Sequence, residues 1–184
     1  MYFGDIRRQN RVSSAHITVL PGGYGTEPRQ VVDFAKDTFL ETKAYEWVFA
    51  LFDRNDHRTY NDALEHAAKL DKSLRNDERH PVRFIAVPSV PCFELWLLLH
   101  YVDIHAFWNR LEVFRRLREH IPSYAKGATQ IYAHTEGALP DAIRRAQRLQ
   151  ARFSPATGTD PYTNVNEVVT LLRSIRAPMR QRPA

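Results

Sequence analysis

The sequence predicts an α/β protein with a small three-layer core, a mainly parallel sheet and a helical C-terminal half. The segment YEWVFALF at residues 45–52 is apolar at nearly every position, which is typical of a parallel strand buried on both faces. Strand-like and helix-like segments alternate through residue 90, and helical spacing of apolar residues dominates from residue 91 onward. This alternation is the pattern of α/β folds, in which helices cover a parallel sheet.

The first predicted elements lie on either side of a glycine-containing loop. The segment HITVL at residues 16–20 resembles a strand. Pro28 suits the first position of a helix, and apolar residues recur at helical spacing from Val31 to Phe39. The buried strand at residues 45–52 follows this helix.

A further helix and strand complete the predicted core. Thr59, followed three residues later by Asp62, resembles a capping box at the start of a helix. The apolar residues of this helix continue to Leu70, and the segment RFIAV at residues 83–87 is the next strand. Right-handed crossovers are expected between successive parallel strands.

The C-terminal half is predicted to be helical and to pack on this core. We expect one domain over residues 1–184, made of an α/β core at residues 1–90, a mainly helical part at residues 91–176 and a frayed tail at residues 177–184. The segment PCFELWLLLHYV begins the helical part. Three apolar stripes at helical spacing follow, formed by Phe107, Trp108, Leu111, Phe114 and Leu117, by Leu139, Ile143, Ala146 and Leu149, and by Val165, Val168, Leu172 and Ile175.

Composition and cysteine usage restrict the class of protein. With 184 residues, 43% hydrophobic and 26% charged, the chain has the composition of a folded globular protein rather than a disordered one. Cys92 is the sole cysteine, which excludes an intramolecular disulfide and a cysteine zinc cluster. No apolar run reaches bilayer length, and the N-terminus does not resemble a signal peptide. We therefore expect a soluble cytoplasmic protein without a membrane partner.

The basic residues are clustered more strongly than the net charge of +5 suggests. Arginine binds phosphate through a planar fork of donors, so two clusters of arginines predict a nucleic-acid surface. Two solvated helix faces account for the same pattern equally well. The clusters are Arg110, Arg115, Arg116 and Arg118, and Arg144, Arg145, Arg148 and Arg152.

Acidic and amide side chains follow the predicted buried strand. Asp53, Asn55 and Asp56 come directly after it, and in α/β sheets the functional crevice lies beyond the carboxyl ends of the strands. Alternate residues of an extended segment point the same way, so Asp53 and Asn55 are able to converge on one hard cation such as Mg²⁺. The same residues also suit a turn that caps the next helix. From the residues alone both interpretations stay open.

A second group of polar residues lies in and after the apolar segment that begins the helical half. Glu94 would either contribute to the same crevice or favour the helix dipole. Because a buried carboxylate without a partner is costly, we expect Glu94 to have one. His100 is either a catalytic base or a satisfied core histidine, and Cys92 is most simply a small buried hydrophobe. Lys126 would either reach a phosphate or be an ordinary surface lysine.

These motifs together resemble the RloB-like family. The resemblance is carried by VFALFDRNDH at residues 48–57 and by PSVPCFELWLLLHY at residues 88–101, with further support from YAKGA at residues 124–128 and PYTNVNEVVTLL at residues 161–172. It covers nearly the whole chain. Proteins of this family are bacterial, and they are found beside restriction-modification and phage-defence genes, often with an AAA/ABC-type ATPase.

The family is similar to TOPRIM domains, which implies Mg²⁺-dependent (or Mn²⁺-dependent) cleavage of DNA or RNA. By this resemblance Asp53 matches the first aspartate of the metal-binding pair, and Asn55 occupies the second position, with Asp56 beside it. The implied metal ligands are Asp53, Asn55 and Asp56. The implied catalytic residues are Asp53, Glu94, His100 and Lys126, and Ser89 also matches the second block.

Two departures from the family pattern favour an alternative function. The family normally begins with a strand that ends in E-G-x-T-E-x-x-Y-F, and we expect the pair Tyr2-Phe3 to be what remains of it, with the glutamate absent. Asn55 also removes one negative charge from the metal pair. The alternative is a non-catalytic adaptor that binds an AAA/ABC-type ATPase or a phage component, with a homodimer formed through an exposed sheet edge.

Overall fold

The computed structural model describes residues 2–11, 17–157 and 161–175. These residues form an α/β fold in which helices outnumber strands. Short 3₁₀ turns at Glu136–Ala138 and Pro155–Thr157 complete the regular structure. The elements are α1 (Tyr2–Gln9), α2 (Pro28–Thr42), β1 (Trp47–Asp53), α3 (Tyr60–Leu70), β2 (Arg83–Val90), α4 (Glu94–Leu98), α5 (Arg110–His120), α6 (Ile131–Thr135), α7 (Leu139–Arg152), β3 (Tyr162–Thr163) and α8 (Val165–Ser174).

The sheet has the strand order β1-β2-β3 among the described residues. Strands β1 and β2 are parallel over their whole length, with Asp53 opposite Ser89 at the carboxyl end. The two-residue strand β3 is antiparallel to β2 and puts Thr163 on the other side of Ser89. Asp53 is therefore the last paired residue of β1, at the edge of the sheet where α/β proteins bind ligands.

Side chains of β1 alternate between two apolar cores, which makes the fold three-layered. Val48, Ala50 and Phe52 pack with residues of α2 and α3 on one face. Phe49 and Leu51 pack on the other face with the C-terminal helices. Because both faces are covered, nearly every position of β1 is apolar. The predicted α/β class and the buried parallel strand are confirmed.

The prediction of a first strand at residues 16–20 is wrong over the described part of that segment. Residues 17–20 form no regular structure, and His16 lies outside the described residues. Ile17 packs into the core while Leu20 is exposed. The carbonyl of Ile17 accepts a hydrogen bond from the Arg7 guanidinium at 3.1 Å, so a side chain satisfies this backbone group in place of a strand partner.

The helical half is more broken than the sequence predicted. Helix α4 spans only Glu94–Leu98 and ends in a turn. The helices predicted from the later stripes are present as α5, α7 and α8. Helix α1 and strand β3 were not predicted. The predicted frayed tail at residues 177–184 lies outside the described residues, and among the described residues no helix is long and apolar enough to span a bilayer.

Candidate functional site

The carboxyl end of β1 is joined to the start of α4 by a short series of hydrogen bonds. Asp53 Oδ1 accepts a hydrogen bond from the backbone N–H of Phe93 at 2.8 Å. The next two backbone N–H groups, of Arg54 and Asn55, donate to the carbonyls of Ser89 and Pro91 at 2.8 and 3.0 Å. These bonds continue the parallel pairing beyond the strand, so the loop that carries the acidic residues is fixed against the segment before α4.

Glu94 is a buried carboxylate with one satisfied and one unsatisfied oxygen. Glu94 is 3% exposed, and its Oε1 accepts a hydrogen bond from the Tyr124 hydroxyl at 3.0 Å. Oε2 is buried and has no hydrogen-bond partner among the described residues. The expectation that Glu94 has a partner is confirmed. A buried oxygen without a partner is costly, and such an oxygen is suited to a water or a ligand that enters the site.

Asp53 and Glu94 lie close enough for their charges to interact. Burial first, and the charge of Glu94 second, raise the pKa of Asp53 to about 6. The hydrogen bond from Phe93 and the charges of Lys126 and Arg110 act in the opposite direction. This region therefore combines the half-buried carboxylate of Asp53 and the buried carboxylate of Glu94 with two nearby cations.

The Cys92 thiol is buried beside the same carboxylates. It is 0% exposed, and burial raises its pKa well above the usual range, with further contributions from Glu94 and Asp53. A thiol held in its neutral form is a poor nucleophile. Cys92 therefore packs in the core as a small buried side chain, as the sequence predicted, and its thiol is uncharged.

Asn55 occupies a constrained position in the loop after Asp53. Its backbone has a φ of 35°, in the left-handed region that asparagine and aspartate tolerate better than most residues. Its side-chain Oδ1 is buried and has no hydrogen-bond partner in the described part of the chain. Asp56 is exposed. The two candidate ligands after Asp53 thus differ: one oxygen is buried and free to accept, and the other carboxylate faces solvent.

Glu27 holds the far end of the same loop, a contact that sequence reasoning missed. The Thr59 hydroxyl donates to Glu27 Oε2 at 2.8 Å, and His57 Nδ1 lies 2.7 Å from Oε1. These two hydrogen bonds lower the pKa of Glu27, and the bond from Thr59 has the larger effect. The predicted capping box is wrong, because Thr59 stands at the N-cap of α3 but makes no side-chain cap and donates to Glu27 instead.

Lys126 lies near Asp53, whereas His100 is buried against the backbone of its own turn. Lys126 is exposed, and its positive charge partly offsets the rise in the pKa of Asp53. His100 is buried, and its Nδ1 lies 3.1 Å from the carbonyl oxygens of both Trp96 and Leu97 in its own turn. Burial lowers the pKa of His100 to about 4, so its ring is neutral near neutral pH. A catalytic role for His100 stays a prediction.

Comparison with known proteins agrees with the motifs from which the site is built. A family model described as "RloB-like protein" matches residues 1–172. The chain belongs to the RloB-like family. The resemblance drawn from the DRNDH and CFELW motifs is therefore confirmed. Neither curated proteins nor solved structures yielded a match to this RloB-like chain.

Most arginines of the two clusters in this RloB-like protein are engaged in local contacts. On α5, Arg115 and Arg116 both bind Glu112. Arg110 and Lys126 form no ion pair with a carboxylate within the described ranges, so both charges are available beside Asp53. On α7, Arg144 pairs with Asp141 at 2.6 Å, Arg148 pairs with Asp103 at 2.7 Å, and Arg145 donates to the Leu99 carbonyl at 2.7 Å.

The donor atoms present suit one class of metal ion. No group of three or more His, Cys, Asp or Glu side chains able to hold a metal occurs among the described residues, which does not fit a zinc site. Asp53, Glu94 and Asn55 provide two carboxylates and an amide oxygen. Mg²⁺ typically takes one or two carboxylates and keeps several waters. The buried, unpartnered Asn55 Oδ1 fits as a ligand of such an ion, and Glu94 Oε2 fits as an acceptor for one of its waters.

Proposed function

We propose that this RloB-like protein acts in phage defence and hydrolyses phosphodiester bonds of nucleic acid with Mg²⁺ or Mn²⁺. The observation that carries the proposal is the pair of neighbouring carboxylates, half-buried Asp53 at the carboxyl end of β1 and buried Glu94 at the start of α4. This is where open α/β sheets form functional sites. The resemblance of the family to TOPRIM domains supports the same chemistry.

Each residue of the site has a proposed role. Asp53 and Asn55, with Asp56 beside them, would hold the metal ion, which when bound activates a water and offsets the charge that develops on the phosphate. Glu94 is kept in place by Tyr124, and its free Oε2 accepts a hydrogen bond from the attacking water. The two unpaired cations beside the acids, Arg110 and Lys126, bind phosphate oxygens.

A nuclease assay tests this function. Wild type is incubated with DNA and with tRNA in the presence of Mg²⁺ or Mn²⁺, beside Asp53→Ala and the control Asp62→Ala, which alters an exposed aspartate of α3. We expect Asp53→Ala to lose activity by about a hundredfold or more, the scale of removing one electrostatic group from an active site. Equal rates for wild type and Asp53→Ala would contradict the role of Asp53.

A second function, that of a non-catalytic adaptor, has its own supporting observations. Asn55 stands where the family has a second acid, and no group of three metal-ligating side chains occurs in the described part of the chain. Within the described ranges β1 is an edge strand of the sheet, and such an edge is able to pair with another chain, including a second copy. In this alternative the protein binds an AAA/ABC-type ATPase or a phage component and has no turnover.

A further inference from the structure

A pocket of about 330 Å³ lies next to the acid pair. One wall is the loop after β1, with Arg54, Asn55 and Asp56, and the facing wall includes Phe107, Arg110 and Leu111 at the start of α5. Its volume lies at the lower end of the range for small-ligand sites. The pocket and the candidate metal site share Asn55 and Asp56, so a molecule bound in the pocket lies beside the metal site.

Two of the pocket's apolar side chains are unusually exposed. Phe107 is 46% exposed and Leu111 is 81% exposed. Single exposed apolar residues are common, but these two line the same concave surface and are placed to contact one ligand together. No aromatic contact covers the ring of Phe107 among the described residues.

The neighbours of Phe107 explain why it faces outward. Trp108 packs against the core, and the Arg116 guanidinium carbon lies 4.3 Å from the centroid of its ring. Asn109 caps α5, because its side chain accepts a hydrogen bond from the Glu112 N–H at 3.0 Å. Because these contacts hold Trp108 and Asn109 in place, they restrict the backbone of Phe107 on its C-terminal side. An exposed ring on an anchored backbone loses little conformational freedom when a flat ligand stacks on it.

Arg110 connects the pocket to the acid pair. It lines the pocket, and its guanidinium carbon lies 5.6 Å from the centroid of the Phe114 ring. Its charge also acts on Asp53. One cation is thus close both to the apolar wall and to the carboxylates. This arrangement suits a ligand with a flat apolar part and an adjoining anion.

We propose that this pocket binds one unpaired nucleotide of a nucleic-acid strand, with its base against Phe107 and Leu111 and its phosphate on Arg110. The bases of a duplex are stacked on each other, so a single strand or a loop is the form recognised. The proposal rests on the hydrolytic function, since it places a phosphodiester next to Asp53.

Binding is measured by fluorescence anisotropy with labelled oligonucleotides in EDTA, where metal-dependent cleavage cannot occur. The probes are single-stranded DNA, single-stranded RNA and a DNA duplex of the same sequence. We expect Phe107→Ala to weaken single-strand binding by roughly tenfold, the scale of one lost base–aromatic stack. Phe107→Trp keeps the stack and should retain affinity. The duplex should bind more weakly than the single strands and should be little affected by Phe107→Ala.

Trp47→Ala is the matched control, because Trp47 is 42% exposed and begins β1 at the opposite end from Asp53. Thermal melting verifies that each variant is folded. The proposal is overturned if wild type binds no single strand, if Phe107→Ala and Trp47→Ala bind alike, or if the duplex competes equally well. A comparison of the DNA and RNA probes identifies the nucleic acid.

The two proposals are separated by combining this measurement with the nuclease assay. A Phe107 effect on binding without any cleavage by wild type would support the pocket and contradict the hydrolytic function. Cleavage that depends on Asp53, together with unchanged binding by Phe107→Ala, would support hydrolysis and overturn the pocket.

Discussion

Burial and the charge of Glu94 together raise the pKa of Asp53, although the two carboxylates come from different parts of the sequence. They meet because the N–H of Phe93, the residue before Glu94, donates to Asp53 Oδ1 at 2.8 Å. Two like charges in a buried site oppose each other. Such a pair lowers the stability of the protein and favours the binding of a cation. The residues around the pair lead to three predictions about stability and binding.

Replacing Asp53 with asparagine should stabilise the protein near neutral pH. The folded pKa of Asp53 is about 6, above the ordinary value of 3.8, so the folded protein binds this proton more tightly than the unfolded chain does. The stability of wild type therefore falls as the pH rises from about 4 to about 6 and stays lower above that. Asparagine does not ionise, and Asp53→Asn should raise the free energy of unfolding by about 2 to 3 kcal/mol near pH 7.5.

Urea denaturation of both proteins in EDTA measures this difference across the pH range. The advantage of Asp53→Asn should vanish near pH 4, where wild type is protonated. Asp62→Asn, at an exposed position of α3, serves as control and should show no such pH dependence. An asparagine variant that is equally stable or less stable than wild type near pH 7.5 would show that the Asp53 carboxylate is not strained.

Tyr124→Phe should destabilise the protein and weaken the site. The variant removes the hydroxyl that donates to Glu94 Oε1 at 3.0 Å, and a buried carboxylate that loses its donor costs about 1 to 3 kcal/mol. Chemical denaturation near neutral pH measures the loss. Tyr24→Phe is the control, because Tyr24 is 54% exposed and its hydroxyl lies 3.4 Å from Asp37; its effect should stay within about 0.5 kcal/mol. Equal effects of the two variants would contradict a structural role for the Tyr124 hydroxyl.

Arg110→Ala and Arg115→Ala should differ in nucleic-acid binding, although both alter the same helix. Arg115 is bound to Glu112 and Glu119, whereas Arg110 lines the pocket. Anisotropy titrations at several salt concentrations give the slope of log affinity against log salt. Arg110→Ala should reduce this slope by about 0.7, the value for one contact with a single-strand phosphate, and Arg115→Ala should leave it unchanged. The reverse order would exclude the pocket as the phosphate-binding surface.

The two parallel strands could be predicted from the sequence because both of their faces are buried, which makes them apolar at almost every position. Phe49 and Leu51 face one apolar core, and Val48 and Ala50 face the other, so β1 is apolar at successive positions and stands out. Helix α1 carries a weaker pattern, with only Tyr2 and Ile6 buried. Their four-residue spacing is the signal that could have revealed it. Strand β3 has two residues and is too short for any periodicity.

The site was predicted in part, for a different reason. Asp53 and Glu94 each follow or adjoin a predicted strand end, and parallel strands bring such ends together. Tyr124 and Arg110 reach the same region from the loop before α6 and from α5, and their positions depend on how the helices pack. Glu27 and Thr59 likewise meet through a tertiary contact that the local capping pattern did not reveal. Spacing along the chain carries no information about such contacts.

Isothermal titration calorimetry with Mg²⁺ and Mn²⁺ tests the central claim, that Asp53 holds a divalent cation beside Glu94. Wild type, Asp53→Asn, Glu94→Gln and the control Asp62→Asn are titrated near neutral pH. We expect wild type and Asp62→Asn to bind the metal in the millimolar range or tighter, Asp53→Asn to lose that binding, and Glu94→Gln to weaken it because a nearby negative charge is removed. An absence of binding by wild type at millimolar metal, or unchanged binding by Asp53→Asn, would contradict the metal site and favour the adaptor.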